Sequence, residues 1–167
     1  MAKVRAAAKR RTTIQVPVSE LQALIVQVEK VGQWMPAAEV MKHVQGDVYH
    51  YRLVNMSDGS MDFTPDYHVT FDISDPANVR WEPHGEANFV SRGVFRSLPG
   101  PVPEESVLEI DVSTHAEVDI DPLMLPLVEP LARDACEQVT EEYLKRIKAD
   151  LESVSNRQDV GNVEQAR

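Results

Sequence analysis

Polar and apolar residues alternate over Thr12–Val18, with Ile14, Val16 and Val18 on one face, so a first strand is predicted there. Pro17 has no N–H to give a ladder and places that strand at an edge or at its own end. Ser19-Glu20-Leu21-Gln22 then has the form of a capping box, and Leu21, Leu24, Ile25 and Val28 repeat at helical spacing, so a helix is predicted from Ser19 to a stop at Gly32. Gln33-Trp34-Met35-Pro36 reads as an apolar plug or a single turn, because Pro36 disfavours helical geometry at Met35.

Between residues 37 and 119 the period is two. Runs at 38–45, 48–56, 61–73, 79–83, 87–97 and about 105–119 are separated by Gly46-Asp47, Ser57-Asp58-Gly59-Ser60, Asp75-Pro76-Ala77-Asn78, His84-Gly85-Glu86 and the proline-rich stretch 98–103. Asp58-Gly59 is the strongest hairpin signal among them. In the third run Met61, Phe63, Tyr67, Val69, Phe71 and Ile73 share one face, opposite Asp62, Asp66, His68 and Asp72, with a bulge predicted at Pro65. In the last run Leu108, Ile110, Val112, Thr114, Ala116 and Val118 oppose Glu109, Asp111, Ser113, His115 and Glu117. The period then lengthens: Leu125, Val128, Ala132, Cys136, Val139, Tyr143 and Ile147 step by three or four, which predicts one long helix over about 127–152. Pro122, Pro126 and Pro130 crowd its start, where proline is tolerated or kinks the axis.

Residues 12–152 therefore read as a single folded domain, between a basic flexible arm (1–11) and a polar flexible tail (153–167). The arm holds Lys3, Arg5, Lys9, Arg10 and Arg11 and no acid, so all 27 acids of the chain face the remaining bases of a total of 17. A body this acidic repels phosphate backbones, so no nucleic-acid partner is expected. No apolar stretch nears the ~20 residues of a membrane helix, and the N-terminal residues have charges without the apolar centre of a secretory signal. A cytoplasmic protein without an integral membrane segment is expected, with transient membrane contact and the oligomeric state left open. One cysteine, Cys136, excludes a disulfide framework and a multi-cysteine zinc site within the chain.

Strand, short helices, about six antiparallel strands and a long helix make an α+β order. It fits a curved sheet of about seven strands wrapped round one long helix, with one or two short helices after the first strand. One helix is narrower than such a sheet, which leaves room for an apolar cavity. Ile14-Gln15-Val16-Pro17-Val18-Ser19, then Val28-Glu29-Lys30-Val31-Gly32-Gln33-Trp34-Met35-Pro36, and the helix over Pro122–Leu151 resemble the helix-grip superfamily (SRPBCC type) over almost the whole body. That group includes START domains, polyketide cyclase/dehydrase-like proteins and coenzyme Q-binding-like proteins. The resemblance implies a hydrophobic or amphipathic small molecule, such as a lipid, quinone, isoprenoid or polyketide, held between sheet and helix. It departs from the pollen-allergen-like branch, whose glycine-rich loop is represented only by Gly46-Asp47.

The lining so implied is Trp34 and Met35; Phe63, Tyr67, Val69 and Phe71; Trp81, Phe89 and Arg92; Ile110 and Val112; and Leu125, Val128, Ala132, Cys136 and Val139 on the long helix. Arg92 enters only if a bulge at Gly93 turns it inward to meet an anionic or carbonyl head group; otherwise it joins Arg80, Glu82 and Arg96 in a solvated network. Tyr49, Tyr51 and Tyr67 read either as hydroxyl donors to a ligand or as ordinary core residues. The five histidines have no metal-ligand spacing, Cys136 sits on the apolar stripe as an inert thiol, and no phosphate loop, dinucleotide fingerprint or nucleophile elbow occurs. No metal or cofactor is expected. Three functions stay open: a non-enzymatic binder or carrier, a cyclase or dehydratase using the same cavity, and a packed interaction domain. An inward Arg92, Glu82 or His84 favours the enzyme, and a wholly apolar lining favours the carrier.

Overall fold

In the computed structural model, residues 1–57 and 62–165 are described, with side chains to residue 154. The first strand, β1 (Ala2–Ile14), begins ten residues earlier than the alternation at Thr12 suggests. It pairs antiparallel with β9 (Ser106–Val118) over its full length, from Ala2 opposite Val118 to Ile14 opposite Ser106. The expected flexible arm is thus an edge strand. Ala2, Val4 and Ala8 are buried on its inner face while Lys3, Arg5, Lys9 and Arg11 point out. The outward bases meet an acidic row: Lys3 lies opposite Glu117, Lys9 opposite Asp111 and Arg11 opposite Glu109. Opposite charges on facing strands stabilise the pairing, and Glu109, 4% exposed, is reached by Arg96 at 2.7 Å, Arg11 at 3.0 Å and Lys9 at 3.9 Å.

After β1, α1 (Val18–Ile25) and α2 (Val28–Gly32) replace the single helix expected. The capping box does not form: the Ser19 side chain caps nothing, and the Pro17 carbonyl accepts from the amides of Glu20 (3.0 Å) and Leu21 (3.2 Å). The chain breaks at Gln27, whose ψ of 68° is not helical. Leu21, Leu24, Ile25 and Val28 are nevertheless all buried, as their spacing predicts. Residues 33–35 add the single turn, with amides bonded to the carbonyls of Lys30, Val31 and Gly32.

The meander follows as β2 (Ala38–Gln45), β3 (Val48–Leu53), β4 (Met56–Ser57), β5 (Asp62–Phe63), β6 (Asp66–Asp72), β7 (Asn78–Pro83) and β8 (Phe89–Pro99). Seven strands form an antiparallel sheet in the order β1-β9-β8-β7-β6-β3-β2, and β4 pairs with β5 as a separate ribbon. The Asp58-Gly59 turn lies outside the described residues. Pro65 does more than bulge the run 61–73; it splits it into β5 and β6. Asn88 stitches the split, its side chain donating to the Thr64 carbonyl (2.9 Å) and accepting from the Asp66 amide (3.1 Å).

A 3₁₀ turn at Pro122–Met124 leads into α3 (Leu125–Gln165), with Pro130 inside it. The helix starts slightly earlier than expected and runs through most of the expected tail. Ion pairs hold α3 along β1, where Arg10 bridges Glu137 (3.3 Å) and Glu141 (3.1 Å). Nearer the far end Glu152 accepts from the Gln15 amide (3.1 Å) and Lys148 (2.8 Å). The core gathers under that far half: Leu144, Ile147 and Leu151 join Ile14, Leu21, Ile25 and Leu108. No helix among the described residues is long and apolar enough to cross a membrane.

Candidate functional site

The two halves of α3 differ. From Tyr143 onward its inner residues are buried, whereas Leu125, Val128, Ala132, Cys136 and Val139 are only half-buried. The near half overhangs the sheet without filling the space below, and a cavity of about 660 Å³ lies between them. That volume falls within the ~300–1,000 Å³ range of small-molecule sites.

Alternation in the strands supplies the floor. Tyr51 and Leu53 of β3, Tyr67, Val69 and Phe71 of β6, Trp81 of β7, Phe89, Ser91 and Phe95 of β8, and Ile110, Val112 and Thr114 of β9 all line it. The aromatic rings form a linked row, Phe71 to Trp81 (centroids 6.1 Å), Trp81 to Phe95 (5.1 Å) and Phe95 to Tyr143 (5.8 Å). Gly93 makes the row possible, since a Cβ there would run into the Trp81 indole and the Asp111 carbonyl. Trp81 is fixed in turn by its Nε1–H, which donates to the Ser91 hydroxyl at 3.0 Å.

Of the residues expected to line the cavity, Met35, Phe63, Tyr67, Val69, Phe71, Trp81, Phe89, Ile110, Val112, Val128, Ala132, Cys136 and Val139 do so. Trp34, Leu125 and Arg92 do not. Trp34 packs against the core from outside, with Lys30 Nζ 5.9 Å from its ring. Leu125 sits at the first turn of α3, off the cavity. Arg92 is the clearest correction: Gly93 pairs in continuous register with Val112, no bulge forms, and Arg92 stays on the outer face, 3.8 Å from Glu82. His84 also lies outside, 3.3 Å from the Thr70 hydroxyl.

Sequence reasoning missed the contribution of β1, where Val4 and Ala6 line the cavity beneath α3, and that of Tyr143, Thr140 and Leu131 on the helix. The alternation of Ala2, Val4, Ala6 and Ala8 was the available signal, masked by the run of bases around it. The rim is formed by exposed Met56 and Ser57 of β4, Asp119 and Asp121 after β9, and Met124 and Leu131 at the start of α3. The 98–103 stretch lies away from this rim, at the other end of β8, where Pro99 pairs with Ser106.

Polar groups are few. Tyr143, buried, donates its hydroxyl to the Val31 carbonyl at 2.9 Å, and Thr140 donates to the Cys136 carbonyl at 2.7 Å. Burial pushes the Cys136 thiol up, away from thiolate reactivity. Tyr51 and Tyr67, 5% and 3% exposed, stack with centroids 5.6 Å apart. Burial raises both phenols well above the ordinary tyrosine value, so they stay protonated. The charged residues among the described lining are Asp119 and Asp121, both acidic and at the rim, and Asp121 caps the Leu123 amide at 3.0 Å.

No family model matches the chain, and no curated protein matches it. Solved structures do match, and they define the architecture. A START superfamily protein from Mycobacterium smegmatis superposes with a TM-score of 0.61 at 10% identity, covering 86% of this chain and 97% of its own. The Zhui aromatase/cyclase of a Streptomyces species gives 0.61 at 10% identity over 87% and 93%. Norcoclaurine synthase from Thalictrum flavum, in complex with dopamine and hydroxybenzaldehyde, gives 0.56 at 12% identity over 89% and 88%. The protein has the helix-grip fold, as its element order implied.

Proposed function

We propose that this protein binds or carries a hydrophobic or amphipathic small molecule between the sheet and the near half of α3. The observation that carries the reading is the half-buried face of α3 over about 660 Å³ of aromatic- and aliphatic-lined space. A helix that served only to close a core would bury that face as completely as it buries Leu144 and Ile147. The cyclase or dehydratase alternative called for Arg92 or a tyrosine to polarise a carbonyl inside; Arg92, Glu82 and His84 stand outside the cavity, and the tyrosines that line it are protonated phenols with no charged group beside them in the interior among the described residues. The packed interaction domain calls for a filled interior.

The test is native mass spectrometry of the protein purified from its own host, followed by organic extraction. A stoichiometric lipid-like adduct, lost in Ala132→Trp while the thermal midpoint holds, supports the binder and names the ligand class. A clean apo mass, with no uptake from a panel of quinones, fatty acids and aromatic polyketides, overturns it.

A further inference from the structure

Resting on the reading above, the arrangement of the lining says more about the ligand. Tyr51 and Tyr67 are direct Cα partners on neighbouring strands, so both side chains leave the sheet on the cavity side. Their rings are nearly parallel, with an interplanar angle of 12° and centroids 5.6 Å apart, so the two phenols lie flank to flank on the cavity side. Neither hydroxyl has a hydrogen-bond partner among the described residues. Neither is sealed in, since the fully enclosed unpartnered side-chain oxygens of the described residues belong to Ser97 and Ser106. A phenol hydroxyl that opens unpartnered onto an apolar space is a donor left for whatever fills that space, and two of them from paired residues make a built polar spot.

We propose that the ligand is an uncharged molecule whose apolar body carries a carbonyl-type acceptor, seated on the Tyr51 and Tyr67 hydroxyls. Protonated phenols donate, and a carbonyl oxygen has two lone pairs to accept from both. An anionic head group is disfavoured from both ends of the cavity. No lysine, arginine or histidine lines it among the described residues, and the rim carries Asp119 and Asp121. A carboxylate without a cation is far more costly to desolvate than a ketone.

The experiment uses the full chain loaded with N-phenyl-1-naphthylamine, a neutral fluorescent hydrophobe, displaced by three competitors of matched length: 2-tridecanone, tridecane and dodecanoate. The ketone is expected to displace the dye at about five- to thirtyfold lower concentration than the hydrocarbon, the span from one to two net neutral hydrogen bonds. Dodecanoate is expected to be the weakest of the three. In Tyr51→Phe/Tyr67→Phe the rings and their stacking are kept, and the ketone's advantage over tridecane should vanish while tridecane itself is unchanged. Tyr49→Phe, whose hydroxyl lies off the cavity, should keep the advantage. Dye uptake with equal displacement by ketone and hydrocarbon, a preference for dodecanoate, or a ketone advantage that survives the double variant would each overturn the proposal while leaving the binder reading intact. Absence of dye uptake would overturn both.

Discussion

Truncating α3 at two points separates its docked half from its overhanging half. Ile147 is 0% exposed and packs with Ile14, Leu21 and Leu108, so Ile147→Ala removes methyl groups from a closed site and leaves a void; about 2–5 kcal/mol is expected. Val128 is half-buried with empty space on its inner side. Val128→Ala deletes two carbons worth about 0.8 kcal/mol each when fully buried, roughly halved here, and adds no new void. Alanine's better helix propensity offsets part of that loss, so a cost under about 1 kcal/mol is expected. With a urea m-value of about 2 kcal/mol/M, the midpoint should fall by about 1–2.5 M for Ile147→Ala and by less than about 0.5 M for Val128→Ala. Equal shifts would mean that both halves sit on a filled core, and the reasoning from half-burial to cavity would fail.

Three further outcomes follow from named contacts. Glu109→Gln should cost about 1–2 kcal/mol by urea unfolding, less than the ~3–5 of a broken buried pair, because Lys9 and Arg11 can turn to solvent; a loss under about 0.3 kcal/mol would count against the charge row as a determinant of β1 pairing. Stability should also fall with pH in two stages. Desolvation pushes the His68 and His115 imidazoles below the ordinary 6.5, aided by His50 for the first and by Lys3 and Arg5 for the second. The unfolded chain therefore takes up those protons first, and stability declines from about pH 6.5 downward. Burial works to raise the Glu109 carboxyl, but Arg96, Lys9 and Arg11 together hold it below its ordinary 4.5. Its contribution, present above that pH, is lost as pH falls through the depressed value; unfolding midpoints flat from about pH 7 to 5 would contradict the histidine assignment, and midpoints flat from about pH 5 to 2.5 the Glu109 one. Gly93→Ala should destabilise by about 1–3 kcal/mol and change tryptophan emission as the Trp81 indole is pushed off Ser91; unchanged emission would show that the indole does not lie against Gly93.

The inner faces of β6 and β9 were legible because each strand alternates cleanly and one side must be dry. The helix stripe from Val128 to Ile147 was legible for the same reason at a period of 3.6. What stayed hidden was tertiary. The residues of β1 carry weak strand propensity in Ala6-Ala7-Ala8, and it takes the acidic row of Glu109, Asp111 and Glu117 opposite, with Glu137 and Glu141 on α3, to order so basic a segment. Ser19 lost its cap role because Pro17 fixes the chain so that its own carbonyl closes the first turn. Arg92 turned outward because glycine at 93 serves Trp81 rather than a bulge. The tyrosine pair was visible only as a choice between core and ligand contact, which needed the register of Tyr51 against Tyr67 to sharpen.

Titration of the full chain with N-phenyl-1-naphthylamine tests the central claim most directly. Saturable one-to-one uptake, with blue-shifted dye emission and quenching of Trp81, which lines the cavity, is the predicted result, and Ala132→Trp should abolish it without lowering the thermal midpoint by more than a few degrees. Failure to take up the dye, or uptake that Ala132→Trp leaves unchanged, would contradict the account.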